Sequence, residues 1–238
     1  MQSSRLRNRL LAQTGQFSAA TAYCGVRSLL EDLMDHFNLL HQEKATFLRL
    51  GDLTGPNGYF GQEVLRFLSM AGTLKANYSL DNLNADSRYI SHVLARSLIE
   101  GFFWLTYIFD DLAKRQARYD EFLSSFKREY AKLYNDPMCP DKSALEPPDV
   151  SWNSLIPPMD IKSVMAQVKN DFGNRLDYLY VVYRIASFDT HGKNFSSVLE
   201  TVFGKPCKFP VLKLDSGFDL MANQYLVILD SLRSGGEI

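Results

Sequence analysis

Cysteine is scarce in this chain: Cys24, Cys139 and Cys207 are all it has, far apart and in no paired spacing. Three such thiols build no disulfide framework and no C-x-x-C site, which fits a cytoplasmic protein better than an exported one. Charge of one sign is also missing. Lys plus Arg number 26 against 27 Asp plus Glu, a net charge of -1. That balance excludes a protein that coats nucleic acid by bulk attraction, so any RNA contact has to be local. The first seven residues carry two arginines and no apolar run, unlike a secretory signal. An uncharged hydrophobic run of spanning length is absent as well. The most apolar stretch, residues 90 to 109, includes His92, Arg96 and Glu100, which hydrocarbon would hold only at high cost. It reads as a core helix, and no membrane contact is expected. Walker A, G-x-G-x-x-G, H-E-x-x-H and zinc-type spacings are all lacking, so no cofactor and no metal are expected. Asp32, His36 and His41 have helical spacing but read as surface groups.

What the chain does have is apolar content: 46% hydrophobic residues, with 13% aromatics, are ample for a packed core. Apolar residues recur at helical spacing in several long segments, and no alternating pattern suggests strands. The expected fold is all-α, a single-domain helical bundle of about six to eight helices over residues 1 to 238. Helices are expected at 18 to 50, 62 to 78, 88 to 109, through the charged stretch to about 134, 161 to 190, 195 to 203 and 218 to 232. The glycine-rich stretch 51 to 61 reads as a break. Asp86 or Ser87 is the expected cap of the third helix. Residues 205 to 210 read as extended. Between 135 and 160 lie six of the nine prolines, a density that no helix interior tolerates. This segment is a long loop, either functional or laid across the surface as an insertion.

Two of the apolar helices carry polar stripes. In the third, Arg88, His92, Arg96 and Glu100 recur every four residues; Arg96 and Glu100 have the spacing of an ion pair. In the late helix, Arg184 and His191 are seven residues apart, nearly two turns, with Asp177, Tyr180 and Ser187 on the same side. Asp189 points elsewhere. His191 falls in the last turn, where the helix dipole favours its protonated form and Arg184 opposes it. A cation beside a titratable base is the outline of an acid-base site. Ser187, one turn away, is in reach of a hydrogen bond to His191. Either stripe could equally be a solvated face, or the two could meet as a seam between helices. Phe102, Phe103, Trp104 and Tyr107 could line a small-molecule pocket, although aromatics so placed are more often core.

Arg184 and His191, with six residues between them in a late helix of an all-α chain, resemble the R-x(4–6)-H motif of the HEPN superfamily (higher eukaryotes and prokaryotes nucleotide-binding). Arg96, Ser97, Leu98 and Glu100, with Tyr183, Arg184, Ser187 and His191, also look like an R-S-L-x-E and Y-R-x-x-S-x-x-x-H layout of a bacterial helical family. The resemblance covers about residues 62 to 197, interrupted by the Pro-rich segment, and implies a HEPN-like core over about 62 to 203. It implies a metal-independent ribonuclease of bacterial defence or stress response, in which Arg184 neutralises the scissile phosphate and His191 transfers a proton. Arg96, Glu100, Ser187, Asp177 and Tyr180 would support the site. It further implies RNA as substrate and either a homodimer or a partner protein of a defence system. Ile185 stands where the superfamily often has a polar residue, and several members are noncatalytic scaffolds. A helical interaction module in a multi-protein assembly, with the Arg184 and His191 face bound to Glu100, is the second reading. Five Lys or Arg against four acidic residues between 160 and 193 leave little positive charge for RNA.

Overall fold

The computed structural model describes residues 35–78, 80, 85–138, 141–169, 175–191, 195–206 and 212–238. Cys24, Cys139 and Cys207 lie outside the described residues, as do 18 to 34 of the first expected helix. One compact unit runs from His36 to Ile238. It is all-α, with nine α-helices and no strand among the described residues.

The first helices are short. Residues 36 to 50, expected as part of one rod, fall in α1 (His36–Gln42) and α2 (Lys44–Gly51), broken at Glu43. Glu43 starts α2 with its own carbonyl, and its carboxylate takes up Thr46 and the distant Arg233. Helix α3 (Gly55–Asn77) then begins inside the glycine-rich stretch that reads as a break. Pro56 falls in its first turn, where a missing N–H costs nothing, and Gly55 at φ 75 makes the reversal before it. Gly61 serves another purpose: a Cβ there would lie 2.5 Å from the backbone nitrogen of Gly51. The run is therefore the crossing point of α2 and α3.

Helix α4 (Ala85–Phe109) is the centre of the unit, buried without interruption from Phe102 to Phe109. It starts at Ala85, ahead of the expected cap; the side chains of Asp86 and Ser87 are outside the described residues. Phe102, Phe103, Trp104 and Tyr107 are core. With Phe60 and Phe67 of α3 and Phe218 and Tyr225 of α9 (Leu214–Ser234), Phe102 builds an edge-on aromatic cluster, with the Tyr225 ring in the middle. Such contacts add directional preference to burial. Among the described residues no helix is long and apolar enough to cross a membrane.

The charged stretch is a separate helix, α5 (Arg115–Asn135). The proline-rich segment lies against it, with one 3-10 turn at Val150–Ser154. Tyr130 donates its hydroxyl to the Glu146 carbonyl at 2.7 Å, Arg128 bonds the Leu155 carbonyl, and Trp152 meets the Tyr130 ring edge-on.

The long helix expected over 161 to 190 is interrupted. Helix α6 (Ile161–Ala166) stops at Gln167, and α7 runs over Arg175–Thr190. Gln167, Val168 and Lys169 have already left the helix; the sequence that follows, residues 170 to 174, holds two asparagines, an aspartate and a glycine, turn formers that the periodicity passes over, and lies outside the described residues. Asp110 accepts the Lys169 N–H just before it. Helix α8 is Phe195–Phe203, as expected. Of the stretch read as extended, 207 to 210 lie outside the described residues.

Candidate functional site

Helices α4 and α7 pack against each other more extensively than most pairs in the unit, and they run antiparallel. His92 meets Asp189, Arg96 meets Ser187 and Tyr183, and Phe103 meets Tyr183, so rising numbers on α4 meet falling numbers on α7. The α4 stripe thus faces α7, but of the α7 stripe only Ser187 meets it; its other contacts are Tyr183 and Asp189, while Asp177, Arg184 and His191 are exposed.

Arg96 is held on three sides. Its Nε donates to Ser187 Oγ at 3.1 Å, one terminal nitrogen donates to the Tyr183 hydroxyl at 3.2 Å, and the other pairs with Glu100 at 3.0 Å. Its guanidinium also lies over the Tyr183 ring, 5.0 Å from the centroid. Burial, aided by the negative charge of Glu100, raises the Tyr183 phenol above its usual pKa, and Arg96 opposes the rise. The phenol is therefore neutral and able to donate or accept.

The expected bond between Ser187 and His191 does not form. Ser187 donates instead to the Tyr183 carbonyl at 2.7 Å, the ordinary choice for a helical serine, and accepts from Arg96. Its hydroxyl is occupied and is no nucleophile. Glu100 is likewise taken by Arg96, so it does not bind the Arg184 and His191 face.

Arg184 and His191 are exposed. Arg184 reaches the Tyr180 hydroxyl at 3.5 Å, and Tyr180 stacks on Tyr183. His191 carries the helical bond one step further, its N–H donating to the Ser187 carbonyl at 3.2 Å. Together Arg96, Tyr183, Arg184, Ser187, Phe188 and His191 line an open cleft of about 290 Å³. Asp177 lies about two turns from Arg184 on the exposed side of α7, and it does not line the cleft. The described part of the proline-rich segment contributes no residue to it.

Behind the cleft the structure holds a pair that the stripe analysis did not join. Asp189 and His92 are each 1% exposed, with His92 Nδ1 2.7 Å from Asp189 Oδ2. Burial pulls His92 below its usual pKa while the Asp189 carboxylate pulls the other way. A signal for it existed: Asp189 is an acidic residue on an otherwise apolar side of α7, where burial demands a donor. His36, read as surface, bonds Asp219 at 2.8 Å. Among the described residues no group of three His, Cys, Asp or Glu is placed to hold a metal ion. Comparison of the chain with known protein families, with curated proteins and with solved structures gives no significant match.

Proposed function

We propose that this chain is a metal-independent ribonuclease of the HEPN type, acting in the cytoplasm in a bacterial defence or stress response. One observation carries the reading: Arg96, Arg184 and His191, two permanent cations and a titratable base, line the same open cleft. Arg184 holds the unesterified oxygens of a phosphodiester, supported by Arg96, which Glu100, Ser187 and Tyr183 keep in place at the wall of the cleft. His191 takes the proton of the 2′-hydroxyl as that oxygen attacks phosphorus; the bond to the 5′ oxygen breaks, and the leaving oxygen collects a proton from water. A 2′,3′-cyclic phosphate and a 5′-hydroxyl result. Positive charge at the phosphorane and a base at the hydroxyl are all this chemistry needs.

The test is cleavage of single-stranded RNA by the purified protein in a chelator. His191→Ala and Arg184→Ala are each expected to slow it by about a hundredfold or more. Both side chains are exposed, so melting temperature should hardly change. Wild-type cleavage by either variant removes the reading.

The same face of α7 supports a second copy as partner. Asp177, Val181, Arg184, Phe188 and His191 are all exposed, and their 4, 3, 4, 3 spacing keeps them within about 40° of one line along the helix. Val181 at 49% and Phe188 at 41% exposure are large apolar groups to leave in water. In an antiparallel pairing centred on Arg184, Asp177 of one copy falls opposite His191 of the other, each seven residues from the centre. The two Arg184 side chains then meet near the axis and repel unless an anion lies between them, as a phosphodiester would.

The second reading, a noncatalytic interaction module, is favoured by that same apolar stripe and by Ile185 beside Arg184. It predicts undiminished self-association or partner binding in a wild-type protein that leaves RNA intact.

A further inference from the structure

Helix α7 ends at Thr190, so His191 sits where a helix frays. A residue that works there needs something to hold the last turn in place. Asp189 is an unexpected occupant of that turn, because a carboxylate at the negative end of a helix dipole opposes the helix. It is nevertheless buried, and its oxygen meets the imidazole of His92, buried to the same degree, at 2.7 Å. Arg88, also buried, lies one turn earlier on α4. An apolar pair could fill the same space without fixing rotation; a hydrogen bond between two buried polar groups fixes both the rotation and the axial position of the helix, since its geometry is narrow.

Successive residues on a helix are about 100° apart, so His191 leaves about 200° around from Asp189. With Asp189 tied inward to His92, His191 is directed outward to the cleft. One turn earlier, Arg96 ties Ser187 in the same way. We infer that the His92–Asp189 pair is the positioning clamp of the site: it locks the last turn of α7 on α4 and so sets where His191 stands relative to Arg184 and Arg96. The inference rests on the reading of the cleft as a phosphodiester site, but the clamp can be measured without RNA.

The experiment compares wild type, His92→Ala, His92→Gln and Asp189→Asn by amide hydrogen exchange and by titration with inorganic phosphate, followed by NMR at the His191 ring. In folded His92→Ala, the amides of 187 to 191 should exchange about tenfold faster while those of α9 stay as they were. Phosphate affinity should fall several-fold. Glutamine, which still has a donor for Asp189, should restore both. If His92→Ala does not fold, Asp189→Asn, which weakens the bond but keeps its shape, carries the same comparison. A lower melting temperature with unchanged exchange at 187 to 191 and unchanged phosphate binding would reduce the pair to ordinary packing. Should the wild-type protein bind no phosphate, the ribonuclease reading falls, and the exchange result alone decides the clamp.

Discussion

Arg96 and Glu100 form an ion pair that is unequal in its surroundings. The carboxylate is 38% exposed and pairs with the arginine, whereas the guanidinium is 23% exposed and also holds Ser187 and the Tyr183 hydroxyl. Removing Glu100 should therefore cost only a few tenths of a kcal/mol, as exposed helical pairs do. Removing Arg96 leaves a half-buried phenol and serine without their donor and should cost about 1–3 kcal/mol. Urea unfolding of Glu100→Ala and Arg96→Ala measures both; equal losses would mean that the ion pair alone matters. The i, i+4 spacing makes this pair legible in the sequence. The Ser187–His191 bond suggested by the same spacing is absent, because a helical serine finds its own carbonyl four residues back before it finds a side chain.

His92 adds a pH dependence at the same scale. Burial holds the folded imidazole below its usual value of 6.5, so below that value the unfolded chain binds a proton that the folded protein refuses. The contribution of His92 is therefore fully present above about 6.5 and lost as the pH falls toward the lowered folded pKa. Urea midpoints measured on either side of that window should decline toward acid in the wild-type protein, and His92→Gln should remove that part of the decline. An unchanged slope in the variant would place the titration elsewhere.

At the scale of elements, glycine marks two different things in α3. Gly61 lies where α2 crosses, with no room for a methyl group, while a Cβ at Gly72 would meet only Phe37 at 3.9 Å. Gly61→Ala should therefore destabilise by about 1–3 kcal/mol. Gly72→Ala, in a helix interior with ordinary contacts, should stabilise by up to about 1 kcal/mol. Thermal melting separates them, and equal effects would contradict the crossing. The sequence reads the glycine-rich stretch as a break because a turn and a close helix crossing call for the same residue. Helical period is similarly blind at 167 to 169, where the spacing predicts a continuous rod and the chain instead leaves the helix after Ala166.

For the whole molecule, the proposed self-association would turn on the register of α7. If two copies pair antiparallel about Arg184, then Arg184→Cys should link to itself under oxidation, because that residue lies at the axis, whereas a parallel pair would also link Asp177→Cys to itself. Phe188→Glu should shift the protein toward monomer in sedimentation experiments, since a charge would replace apolar surface at the seam. Self-linking of Asp177→Cys would overturn the register.

Composition and period alone determined that this chain is all-α, that its most apolar helix lies in the core, and that Arg184 and His191 share a side of one helix. These follow from local rules: 3.6 residues per turn, and the cost of leaving apolar groups in water. Only the tertiary structure decided that Arg96 lines the same cleft as Arg184 and His191, that Asp189 turns inward to His92, and that Ser187 is occupied. Those outcomes depend on which helix lies opposite and in which direction it runs, and a helical stripe looks the same in sequence whether it faces water or another helix.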